Sequence, residues 1–169
     1  MDDSLAIVFA ILVSIILMFL FPLLDTWELQ DNLSYATTYA AVVDFVDTVR
    51  NVGYITDESY YNFESKLMMT GNTFSVRMEH RKFIEDNTVR DYLNTYTNEI
   101  MDELKDPTDG IYKLNQYDYF YVTIKNTNKT QATVIRKFLY AGEEETFKIG
   151  TAYGGIVWSS PEITEISNP

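Results

Sequence analysis

From Leu5 to Leu24 every residue except Ser14 and Pro22 is apolar, and none is charged. Twenty residues at 1.5 Å rise span roughly 30 Å, the thickness of a bilayer's hydrocarbon core, so the pattern predicts a transmembrane or filament-core helix over residues 1–24. From Trp27 the apolar positions open out to Leu29, Leu33, Ala36, Tyr39 or Ala40, Val43, Val46 and Val49, in steps of three and four. That spacing puts them on one helical face, with Asp31, Asp44 and Asp47 on the other, and predicts an amphipathic continuation over residues 25–53 with Gly53 as its stop. One helix of about 45–48 residues, roughly 70 Å long, is expected. Pro22 removes the hydrogen bond to the Met18 carbonyl, which predicts kinking or local melting around Met18–Phe21. Trp27 falls where an aromatic belt sits at a membrane surface.

Residues 54–169 change character and predict a globular head. Thr56, with Asp57 and Glu58 behind it, reads as the N-cap of a short helix that runs to about Met69 and stops at Gly71. Phe74, Val76 and Met78 alternate with Ser75, Arg77 and Glu79, the signature of a half-buried strand over Thr73–Arg81. Val89, Tyr92, Leu93, Tyr96, Ile100, Met101 and Leu104 recur at helical spacing and predict a helix over Thr88–Leu104, ended by the turn-rich Asp106–Gly110. YDYFYVTIKN (Tyr117–Asn126) is dense in aromatic and β-branched residues and predicts a strand. TQATVIRKFLY is expected to return as its antiparallel partner, and FKIGTAY and GIVWSS add one or two short strands. The fold class expected is therefore α+β, a long N-terminal helix packed on a small head of short helices and an antiparallel sheet.

Charge narrows the function. The formal net charge is −12, and Asp2 and Asp3 are the only charges before Asp25, so −10 of it falls from there on. An acidic surface repels phosphate backbones, which excludes nucleic acid as a direct partner. The chain has no cysteine, so disulfides, thiolate metal sites and cysteine nucleophiles are excluded together. The only histidine, His80, lies in the run Glu79-His80-Arg81-Lys82 and reads as part of a solvated charge cluster. Asp106–Gly110 lacks the ligand alternation of a calcium loop, Glu143–Glu145 is a charged turn, and Gly154-Gly155 suggests a bulge or bend. No catalytic, cofactor-binding or metal-ligating residue is assigned, no cofactor is expected, and the chain does not read as an enzyme. Alternation places Tyr117, Tyr119 and Tyr121 on one sheet face opposite Asp118, Phe120 and Val122, a tyrosine-rich surface suited to protein contacts.

A cleaved secretory signal has a basic start, a shorter apolar centre and a small-residue cleavage site, and the apolar run has none of these. The segment is expected to stay in the working protein. Ala6, Ala10 and Ser14 repeat at a four-residue interval that lets helix backbones approach closely.

An apolar helix continuing as an amphipathic one, then a mostly antiparallel head, resembles the type IV pilin-like proteins. Leu5–Phe21 followed by Pro22 looks like the mature N-terminus of such pilins, and TGNTFSV, YFYVTIKNTNKT and YGGIVW give the head a texture similar to the pseudopilin-like components of Tad-type machines. The resemblance implies a structural subunit stored as a single-pass protein in the cytoplasmic membrane, then assembled with copies of itself into an extracellular filament at the cell surface. Its expected partners are membrane lipid before assembly, identical subunits and a pilus assembly machinery. Pilins usually carry glutamate at the fifth mature position, where this chain has Leu5. Asp2 or Asp3 is expected to take over the neutralisation of a neighbour's terminal ammonium, with Leu5, Ala6, Ala10, Ser14, Pro22 and Trp27 forming the rest of the assembly surface. A different expectation from the same residues is a single-pass anchored extracytoplasmic binding or assembly factor that does not polymerise.

Overall fold

The computed structural model of the chain describes residues 2–86, 89–107, 109–140 and 149–161. In chain order its elements are α1 (Asp2–Val52), β1 (Tyr54–Thr56), α2 (Asp57–Met68), β2 (Phe74–Asp86), β3 (Val89–Tyr96), α3 (Thr97–Leu104), β4 (Ile111–Lys113), β5 (Tyr119–Asn126), α4 (Gln131–Tyr140) and β6 (Gly150–Ile156). The class is α+β, with the long N-terminal helix packed on a head of short helices and antiparallel sheets.

α1 is one helix of 51 residues and stays helical through Pro22, so the expected melting around Met18–Phe21 does not occur. A single missing ladder bond does not stop a helix already propagating on both sides of it. The Thr26 hydroxyl donates to the Pro22 carbonyl at 2.9 Å one turn on. The helix stops at Gly53, whose N–H reaches the Val49 carbonyl at 2.8 Å with φ at +81°, the left-handed turn that glycine permits.

The chain divides into two compact units, Tyr35–Asn128 with Lys148–Pro169, and Met1–Ser34 with Lys129–Phe147. In the first of these, a four-stranded antiparallel sheet runs in the order β3-β2-β5-β6, and a second sheet pairs β1 with β4. Val42, Phe45, Val46 and Val49 of α1 meet Phe63 and Leu67 of α2, Ile100 and Leu104 of α3, and the inward line Met78, Phe120, Val122 and Ile124 of the sheet in one buried cluster. Phe45 stacks on Phe63 with ring centroids 4.4 Å apart. All three helices therefore cover the same side of the sheet. α2 opens with a reciprocal cap: Ser59 N–H donates to Thr56 Oγ1, and Thr56 N–H donates to Ser59 Oγ, both at 3.1 Å.

The end of α1 is tied to the last described strand. The Arg50 carbonyl accepts from Trp158 N–H at 2.8 Å, its guanidinium donates to the Ile156 carbonyl at 2.9 Å and to Asp47 at 2.7 Å, and it lies over the Trp158 ring. Gly155 makes room for this: a Cβ there would sit 2.6 Å from the guanidinium carbon. Gly154 leaves space for Tyr121, its cross-strand partner, whose ring a Cβ would meet at 2.4 Å. The two glycines thus permit close approach on opposite faces of β6.

The second unit is a helix pair. Thr130 caps α4, accepting from Thr133 N–H at 3.3 Å, and its hydroxyl donates to Asp31 Oδ2 at 2.6 Å. Arg136 pairs with Glu28 of α1. Leu24, Asp31 and Ser34 of α1 and Ala132 and Thr133 of α4 are buried.

Several expectations need correcting. TQATVIRKFLY forms α4, not a return strand, because Thr130 is a cap and Ala132, Thr133 and Arg136 fall on one helical face against α1. The helix expected over Thr88–Leu104 begins only at Thr97. Val89–Tyr96 pairs with β2 in an antiparallel register that sets Tyr96 opposite Glu79 and Val89 opposite Asp86, extending β2 past Arg81. Asp31 lies on the covered side of α1, whereas Leu29 and Leu33 stand 65% and 66% exposed. Glu143–Glu145, Thr108 and the tail beyond Pro161 lie outside the described residues.

Candidate functional site: the uncovered face of the long helix

The first turns of α1 are bare. Leu5, Ala6, Ala10, Ser14 and Pro22 are exposed and Trp27 is half-buried; Asp2 and Asp3 are helical, with their side chains outside what is described. The segment is long and apolar enough to cross a membrane. Ala6, Ala10 and Ser14 share one exposed helical side, as their four-residue spacing requires.

Beyond the span the same helix has two unlike sides. One carries Asp31, Ser34, Thr38, Val42, Phe45 and Val49, all buried. The opposite side, half a turn away, carries Leu29, Leu33, Ala36, Ala40 and Val43, of which all but the half-buried Val43 are exposed. These residues lie on the side of Ile15, Met18 and Pro22, and after a polar break at Asp25 and Thr26 that side is apolar again past the point where a bilayer would end. The expected spacing is present, but its upper part faces away from the covered side. Ala6 and Ala10 lie on a different side of α1 from this stripe.

Within the head, His80 is not in a solvated cluster. It is buried, with Nε2 at 2.9 Å from Asp118 Oδ2 and Nδ1 at 2.6 Å from the Tyr112 hydroxyl. Asp118 also accepts from the backbone N–H of Phe83 and of Asn115, both at 2.8 Å. With Asp118 accepting throughout, Nε2–H donates to its carboxylate and Nδ1 accepts from the Tyr112 hydroxyl. Burial, opposed by a hydrogen bond from Thr95 and reinforced by Glu103, Asp118 and Glu99, pushes the Tyr112 hydroxyl up to about 12. The trio ties β2, β4 and the turn before β5 together in the buried interior. A signal for it exists in the sequence. His80 continues the inward parity of Phe74, Val76 and Met78, and Asp118 that of Phe120 and Val122.

The other face of the sheet is open. Tyr119 and Tyr121 lie with rings 6.5 Å apart and 23° from parallel, and Arg77 stands over Tyr96. Arg81, Tyr92, Tyr119 and Tyr121 line a shallow hollow of about 390 Å³. The expected alternation holds within and just before β5, where Asp118, Phe120, Val122 and Ile124 are buried while Tyr119 and Tyr121 are half-exposed, but Tyr117 lies before the strand in a turn with φ at +75° and is not on the sheet face. The chain matches no protein-family model, no curated protein and no solved structure.

Proposed function

We propose that the chain is the structural subunit of an extracellular helical filament, held in the cytoplasmic membrane by α1 and assembled by packing that helix against its copies. What supports this reading is the apolar stripe Leu29, Leu33, Ala36, Ala40 and Val43. A simple anchor needs apolar surface only as far as the bilayer reaches, about residue 24. Over nineteen further residues, about 28 Å of helix, the side of this stripe carries Leu29, Leu33, Ala36 and Ala40 exposed and Val43 half-buried. Neighbouring helices of identical subunits would cover both parts of the stripe, and a repeated head-to-tail operation would give an open fibre.

Shearing intact cells tests the reading: the chain is expected in the sheared fraction as long thin fibres, and Leu29→Asp with Leu33→Asp is expected to leave it in the membrane pellet. Retention of the unaltered chain in the pellet, with no fibres, overturns the proposal. The non-polymerising alternative, an anchored binding module, draws on the open face of Tyr119, Tyr121, Arg77 and Arg81, because tyrosine and arginine dominate protein-binding surfaces.

A further inference from the structure

The helix pair formed by α1 and α4 has a direction. Thr130, at the start of α4, bonds Asp31, and Arg136, further along, pairs with Glu28, so α4 runs antiparallel to α1 and back toward its apolar span. Two residues past Arg136, Phe138 lies about 3 Å nearer the span, level with Asp25–Trp27. Phe138 is 77% exposed, and Val134, one turn earlier on the same side, is 48% exposed. Their side of α4 is opposite Ala132 and Thr133, which are buried against α1. An apolar pair that faces away from its supporting helix has no partner among the described residues of the unit, yet it sits where the span leaves the hydrocarbon.

We infer that α4 is an interfacial foot, with Val134 and Phe138 resting in the headgroup layer of the leaflet that α1 leaves at Leu24. The occupant is lipid because the patch is continuous in height with the apolar surface of the span itself. Headgroup and interfacial regions add only about 5–8 Å to each side of the hydrocarbon core, and Phe138 falls within that layer. Aromatic side chains are favoured at that depth, and Trp27 of α1 stands at the same level, so the two rings would form a belt contributed by both helices. The Thr130–Asp31 bond and the Arg136–Glu28 pair then have a role beyond holding α4: they set the height at which its apolar side meets the membrane.

This inference rests on α1 crossing the bilayer, and the experiment separates the two. The chain has no cysteine, so single cysteines placed at Phe138→Cys, Leu12→Cys and Tyr117→Cys can each carry an environment-sensitive nitrobenzoxadiazole label in the full-length protein. The protein is placed at one copy per nanodisc of phosphatidylcholine and phosphatidylglycerol. The label at Leu12 reports the span, and that at Tyr117, 64% exposed on the head, reports water. At Phe138 the expected result is blue-shifted emission, quenching by lipids spin-labelled near the headgroup, and iodide quenching at least about fivefold weaker than at Tyr117. A buried Leu12 label with a Phe138 label as accessible to iodide as Tyr117 overturns the foot and leaves the anchor standing. A water-exposed Leu12 label overturns both. Shielding at Phe138 that appears only when discs hold several copies assigns the patch to a second subunit and overturns the lipid assignment. Substituting so exposed a residue leaves the fold intact, and Val134→Cys repeats the test one turn away.

Discussion

The covered side of α1 is made of two different materials. Between Leu24 and Thr38 it is largely polar, with Asp31, Ser34 and Thr38 buried, and α4 meets it through a hydroxyl–carboxylate bond and an arginine–glutamate pair. From Ala41 to Val49 it is a dry apolar line set against α2, α3 and the sheet. The lower half of the helix is held by area removed from water, about 25 cal/mol per Å², and it comes apart only when the head unfolds. The upper half is held by a few directional bonds with net values near 1 kcal/mol each, so it can exchange partners without disturbing the head.

Substitutions in the two halves should separate cleanly. Phe45→Ala removes the ring stacked on Phe63 in the lower half and should cost about 3–5 kcal/mol, read as a large fall in the melting temperature of the detergent-solubilised chain. Asp118→Ala strips acceptors from His80 and from two backbone amides in the same interior and should cost about 1–3 kcal/mol. The neighbouring Tyr112 gives a pH signature. A hydroxyl raised from 10 to about 12 is neutral in the folded state where the unfolded chain has lost its proton, so stability should hold below pH 10 and fall as pH rises through 12. Tyr112→Phe should flatten that fall relative to the unaltered chain, and an identical high-pH slope in the two proteins would remove Tyr112 from the account.

The β6 glycines come next. Gly154→Ala drives a methyl to 2.6 Å from the backbone oxygen of Phe120, whereas Gly155→Ala meets a movable guanidinium. The first should cost about 1–3 kcal/mol and the second less, with Arg50→Ala relieving only the second in a double-mutant cycle. Last is Thr130→Ala, which removes the α4 cap and the donor to the buried Asp31 carboxylate; it should cost about 1–3 kcal/mol but confine that loss to the upper half, so its effect on the head is the smallest. It should speed hydrogen exchange across α4 and leave the melting of the head where it was; a shifted head transition would show that the two halves are not independent.

What could be read from the residues follows the same division. The Thr56 cap, the stop at Gly53 and the alternation through Phe120, Val122 and Ile124 are local signals, and each is where the spacing put it. Gln131–Tyr140 is a short, mixed run whose apolar positions satisfy a period of two and a period of three to four together, while Val89, Tyr92, Leu93 and Tyr96 keep helical spacing and become a strand only by pairing with β2. His80 needed Tyr112 and Asp118, 32 and 38 residues further on, to become an interior residue. Asp31 was legible as polar but not as buried, because the hydroxyl that satisfies it comes from Thr130, 99 residues away.

The clasp at Arg50 has a mechanical consequence. A pull along the axis of α1 reaches the head through its core packing and the chain at Gly53, and also through the Arg50 carbonyl and guanidinium, which grip Trp158 N–H and the Ile156 carbonyl at the end of β6. That strand runs antiparallel beside β5 along its whole length, from Gly150 opposite Lys125 to Ile156 opposite Tyr119. Where the load lies along β6, all the cross-strand bonds of the ladder resist together in shear, while a load across it would peel them one by one.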